Sequence, residues 1–188
     1  NFIFYYNEST LQDVFDGDLD ALDAWTNNMV ASLNETARNS LLPPDHNVRK
    51  VALAPVYMTP RYDSVSALAW ARFNEDFQEK RRAAGADLGI FLVTETTAWM
   101  GYAYHLYDHY QWVDRGLVIV NASFTGGQQC GRSDNRLTLA HEIGHNMGCL
   151  HNIEDSSGVT ALYDFGAFCY GKRWMNNGQG VKTVMSYD

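Results

Sequence analysis

Five residues of this chain have the types and spacing to hold a metal ion beside a base. They are His141, Glu142, His145, Gly148 and His151, in the run His141-Glu142-Ile143-Gly144-His145-Asn146-Met147-Gly148-Cys149-Leu150-His151. On a helix, positions four apart share a face, about 6 Å apart along the axis. The imidazoles of His141 and His145 can therefore converge on one Zn²⁺ at about 2.0–2.1 Å. Glu142 lies one step round the helix, close to such an ion without pointing at it. That suits a general base acting on a zinc-bound water rather than a third ligand. Gly148 permits the positive φ of a helix C-terminal cap, and the reversal brings His151 back as the third ligand. Three protein ligands leave a fourth position for water, the mark of a catalytic rather than a structural zinc. The competing reading is a solvated helix with incidental histidines. With this composition, the five fixed residues would occur by chance with a probability of roughly 10⁻⁵.

The string HExxHxxGxxH resembles the metzincin pattern of zinc peptidases, which is accompanied downstream by a Met-turn. The Met-turn candidate here is Thr183-Val184-Met185-Ser186-Tyr187, with Met185 placed 34 residues after His151. In that family the methionine lies beneath the zinc ligands as an apolar floor. Within it the chain is most similar to the reprolysin-like (adamalysin-like) secreted peptidases. The resemblance rests on residues 134–151 and 183–187 and is architectural elsewhere. One position departs: the residue after the third histidine is usually an acid in reprolysins and astacins, and here it is Asn152. The resemblance implies an α/β catalytic domain: a twisted, mixed five-stranded sheet with helices, a zinc helix, and a small irregular C-terminal subdomain. It also implies an antiparallel edge strand at about 99–105 that pairs with bound peptide. A lower subdomain would wall the cleft, with 161–184 as candidates for that wall. Astacins and serralysins carry a tyrosine two residues after the Met-turn methionine that approaches the zinc. The matching Tyr187 is therefore a candidate stabiliser of the tetrahedral intermediate, set against a tyrosine that merely packs or lies exposed.

The elements that must position these residues are readable upstream. With 188 residues, 46% apolar and 19% charged, the chain has the length and composition of one globular domain with a sizeable core. The expected division is an upper subdomain 1–148 and a lower one 149–188. Asn1-Phe2-Ile3-Phe4-Tyr5-Tyr6 reads as a strand. Leu22, Trp25, Met29, Leu33 and Ala37 recur at helical spacing over 19–38. Residues 48–57 read as a strand in which Pro55 suggests a bulge or irregular end. A second helix is expected from Ser64 through Ala84, with Ala69, Phe73 and Phe77 inward and Gly85 as its stop. The apolar runs 88–93 and 117–121 suit strands covered on both faces. Strand–helix–strand–helix–strand order implies parallel pairing through right-handed crossovers. The zinc helix is expected to begin near Asp134, and the chain from Cys149 onward reads as loop.

A net charge of −8 argues against nucleic acid or an anionic membrane as the main partner. No run has the apolar length of a membrane span. No signal peptide is visible, so any signal, propeptide or additional domain is expected outside this sequence. Relatives continue past the Met-turn, so a truncation after Asp188 is expected too. Asp16, Asp18 and Asp20 begin like a calcium loop, but Ala21 and Asn27 stand where the template wants Gly and Glu. A capped helix start is the simpler reading. His105 and His109 bracket Asp108 among many aromatics and read as a half-buried cleft rim rather than a second metal site. Cys130 and Cys149 flank a helix about 20 Å long, beyond disulfide reach, which leaves Cys149–Cys169 as the plausible bridge. Sequons at Asn7, Asn34 and Asn121 fit a secreted protein. The resulting expectation is a secreted zinc endopeptidase acting on protein or peptide, with Zn²⁺ on His141, His145 and His151, and with Glu142 and Tyr187 catalytic. The alternatives are a protease-fold adhesion or binding module, and a zinc hydrolase of a non-peptide bond.

Overall fold

The computed structural model describes residues 1–39, 47–57, 64–94, 101–104, 116–123, 135–152, 171, 173–176 and 179–185. In chain order the elements are β1 (Phe2–Tyr6), α1 (Glu8–Phe15), α2 (Leu19–Asn39), β2 (Lys50–Pro55), α3 (Ser64–Phe73) and α4 (Glu75–Ala83). They continue with β3 (Leu88–Val93), β4 (Gly101–Ala103), β5 (Leu117–Asn121), α5 (Asn135–Asn146), β6 (Arg173–Asn176) and β7 (Gln179–Lys182).

Every residue of β1 is buried, as are all five of β5. Strands apolar on both faces belong in the interior of a covered sheet, and these take such places. The sheet order is β2-β1-β3-β5-β4, with β1, β2, β3 and β5 parallel and β4 antiparallel to β5 at the edge. Alternation then divides the core. Phe2, Phe4, Tyr6, Ile90, Leu92, Val118 and Val120 meet Leu22, Met29 and Val30 of α2 and Leu139 and Ile143 of α5. Ile3, Tyr5, Phe91 and Ile119 face Ala67, Leu68, Ala71 and Phe77 of α3 and α4. The expected mixed five-stranded sheet with its antiparallel edge is therefore present, between two helical layers.

Four local expectations need correction. The helix expected over Ser64–Ala84 is two helices, because Asn74 takes an extended conformation and its side chain accepts from Phe77 N, capping α4. That break resets the inward face, so Phe73 is 73% exposed and Ala69 is exposed, while Phe77 is buried as expected. In β2 the irregularity falls between the partners of Phe2 and Ile3, at Val51, and Pro55 simply ends an edge strand. α1 was not anticipated; it is short and starts on the Asn7 cap. The C-terminal part, read as loop, contains the antiparallel hairpin β6–β7.

Capping also explains features with rival readings. Asp18 Oδ1 accepts from Asp20 N and Ala21 N at the start of α2, and Asp16 closes α1 in the left-handed conformation. The Asp18 carboxylate thus serves a helix start, and Asp16 serves a helix end through its backbone. The sequon asparagines are likewise engaged by the fold. Asn7 caps α1, Asn34 exchanges two hydrogen bonds with the Val48 backbone, and the buried Asn121 accepts from Ser123.

Candidate metal centre

α5 lies across the β4–β5 side of the sheet, with Leu139 and Ile143 buried beneath it. That orientation turns the opposite, histidine-bearing face away from the sheet. The helix ends in a Schellman motif: Gly148 N donates to His145 O (2.9 Å) and Cys149 N to Gly144 O (2.8 Å), with Gly148 at φ +91°. The reversal expected at Gly148 is therefore real, and it returns His151 to the helix. Gly171 N, donating to Leu150 O, ties the returning segment to the chain beyond.

The three histidines meet. Nε2 of His145 is 3.1 Å from that of His141 and 3.0 Å from that of His151, and the His141–His151 separation is 3.0 Å. The other ring nitrogens fix the tautomers of two of the rings. His141 Nδ1 is 2.7 Å from Val184 O, and His145 Nδ1 is 2.8 Å from Cys149 O. A carbonyl oxygen only accepts, so each Nδ1 carries the hydrogen and each neutral ring aims an Nε2 lone pair at the same point. Lone pairs brought this close repel unless a cation sits among them. Ligands about 2.0–2.1 Å from a tetrahedral ion lie about 3.3–3.4 Å apart, so the observed triangle fits such an ion within a few tenths of an ångström. The residues present fit a zinc-type group. Carbonyl partners at Nδ1 are also how metal-binding imidazoles are held in orientation.

His145 is 5% exposed and Glu142 6%, while His141 and His151 are half-buried. Burial pushes the Glu142 carboxyl up to about 8, because no water solvates its charge. A dication in the histidine triangle would act in the opposite direction. Met185 does lie under the helix: a Cβ placed on Gly144 would run into its Sδ. The glycine between the metal-facing histidines is what lets the methionine approach. Asn146, next to His145, donates to Tyr104 O at 2.6 Å, fastening the helix to the end of β4. Asn152, where an acid is usual, is 1% exposed. An amide can be buried there without the penalty of an isolated carboxylate.

Tyr187, Cys130, Cys169, His105 and His109 lie outside the described residues, as does most of the expected cleft wall. Sequence reasoning missed the Val184 and Cys149 carbonyls, since backbone groups leave no mark in residue type. It also missed Gly101, against which the Glu142 side chain rests.

A family model for metallo-peptidase family M12, of reprolysin type, matches residues 6–188. No curated protein matches the chain. Among solved structures, a chaperone–substrate complex superposes with a TM-score of 0.65 at 18% identity, covering 99% of this chain and 28% of that one. Mature mirolysin of Tannerella forsythia in complex with a cleaved peptide gives 0.48 at 17% identity, with 84% and 64% covered. Metalloproteinase-II of Bacteroides fragilis gives 0.40 at 16%, with 80% and 42% covered. The chain thus spans less than two thirds of each of these longer chains.

Proposed function

Because the chain belongs to metallo-peptidase family M12, we propose that it is a zinc-dependent endopeptidase whose own residues hold the metal, move the proton and seat the substrate. The observation that carries this is the triangle of Nε2 atoms, two of them locked by carbonyls, beside a buried glutamate on the same helix. Zn²⁺ on His141, His145 and His151, when bound, supplies a Lewis acid that polarises a carbonyl and acidifies water. Glu142 takes the proton of the attacking water and delivers it to the leaving amine. Among the described residues β4 pairs with β5 along one side only, so its other side offers N–H and C=O groups to an extended peptide. Tyr187 donates to the developing oxyanion, a role supported by its offset from Met185.

The same reading, supported by the family to which the chain belongs, puts the protein outside the cell. The activity is tested by incubating the zinc-loaded chain with denatured casein, with and without a chelator, beside Glu142→Ala. Cleavage should stop with the chelator and fall at least ~10²-fold in the variant while zinc is retained. Zinc binding without cleavage of casein or of a peptide library would favour a binding module or a non-peptide hydrolase instead.

A further inference from the structure

β4 carries its two smallest side chains on one face. Gly101 pairs with Val120 and Ala103 with Val118, and both valines lie in the core layer that includes α5. Tyr102, opposite Ile119, points to the other layer. The reason for a small residue differs at the two positions. Ala103 is 4% exposed and simply fills its place under the helix. Gly101 has no such excuse in its backbone, because its φ is not among the positive values, which belong to Gly17, Gly85 and Gly148. Its requirement is space. A Cβ built on Gly101 would lie 2.7 Å from both Cγ and Oε1 of Glu142 and 2.9 Å from its Cδ. Outside its own residue and chain neighbours, a real Cβ essentially never comes within 3.0 Å of a heavy atom. The Glu142 side chain therefore occupies the volume that any other residue at 101 would fill.

We infer that Gly101 is a positioning residue: the missing side chain on the edge strand is the seat that holds the Glu142 carboxyl in its working orientation. The inference rests on the proposed role of Glu142 as the base. It makes the strand that receives the peptide also the surface that aims the base. Since Glu142 is a rotatable side chain and the Gly101 backbone is ordinary strand, Gly101→Ala relieves the overlap by displacing the carboxyl, not by unfolding the chain. Alanine keeps the N–H and C=O that a peptide would use.

The test is a double-mutant cycle on the zinc-loaded chain, using a quenched fluorescent peptide, with zinc content and melting followed in parallel. Gly101→Ala should keep its zinc and a KM within about threefold of the parent while kcat falls about 10²-fold. In the Glu142→Ala background the same substitution should change the residual rate by less than about threefold, because no carboxyl remains to displace. A parental kcat for Gly101→Ala, or equal losses in the parent and Glu142→Ala backgrounds, overturns the inference. A parental rate for Glu142→Ala alone overturns the base assignment, and is read independently. If Gly101→Ala does not fold, the pair with Glu142→Ala decides. Restored folding identifies the carboxyl as the obstacle, and continued misfolding refutes it.

Discussion

Two glycines end helices in the same way, and only one of them serves the metal centre. Gly85 closes α4 with Gly85 N donating to Arg82 O and Ala86 N to Arg81 O, at φ +62°; Gly148 closes α5 with the matching pair of bonds at φ +91°. Replacing either with alanine places a Cβ in the left-handed region, a penalty of about 1–2 kcal/mol. At Gly85 a Cβ meets nothing within 4 Å, so the whole penalty should be lost fold stability. For a domain of this size that corresponds to a melting point lower by roughly 2–8 °C, with zinc affinity unchanged. At Gly148 the penalty has two outlets. If the metal-free chain keeps its turn, Gly148→Ala loses stability as Gly85→Ala does. If the turn relaxes and His151 swings away, the metal must restore it, and zinc affinity falls by up to roughly 5–30-fold instead. The two losses should sum to about 1–2 kcal/mol. Urea unfolding of the metal-free proteins and competition with a chelator of known affinity measure the two terms. A Gly148→Ala chain with parental stability and parental zinc affinity would show that the cap does not position His151.

Three further outcomes are expected. Elemental analysis should find about one zinc per chain, lost on His145→Ala; stoichiometric zinc in that variant would refute the ligand set. Tyr187→Phe should lower kcat by ~10²–10³ with little change in KM, because the donor acts on charge that develops in the transition state. An unchanged kcat would leave Tyr187 as packing. Lys50, hydrogen-bonded to Asp23 Oδ1 at 2.6 Å, holds that carboxyl below its usual range. A depressed carboxylate contributes stability above its unfolded pKa of about 3.9 and loses it as pH falls through the lower folded value. The Asp23 side chain is 48% exposed, so Asp23→Asn should cost no more than about 1 kcal/mol near pH 6, with the difference vanishing in strong acid. A difference that persists at pH 2 would exclude the ion pair as its source.

The histidine cluster and the sheet were legible because their signals are side-chain types at fixed spacings. The histidine pattern survives any detail of packing, and the apolar runs of β1, β3 and β5 leave few places for those strands to go. What was hidden is of three kinds. Backbone groups are the same at every position, so nothing in the composition points to the Val184 or Cys149 carbonyls. Local polar chemistry was overlooked where it interrupts a long period: Asn74 looked like one residue of a continuous helix, yet its cap splits α3 from α4. The hairpin β6–β7 had an available signal, the Asn177-Gly178 dipeptide between the paired Asn176 and Gln179. Gly101 belongs to the third kind, since the need for an absent side chain comes from a residue distant in sequence.

The placement of β1 carries a consequence for how the chain reaches this fold. Phe2-Ile3-Phe4-Tyr5-Tyr6 leaves the ribosome before both of its hydrogen-bonding neighbours, Lys50–Pro55 on one side and Leu88–Val93 on the other. Local contacts cannot satisfy it, and parallel pairing over such separations is slow. Until β3 has been synthesised, an uncharged aromatic strand stays open along at least one edge, the kind of segment that pairs with copies of itself. Yield of this protein should therefore depend more on nascent-chain protection than on the stability of the finished sheet. A charge introduced at the partly exposed Asn1 end would act on that early hazard while leaving the buried strand untouched.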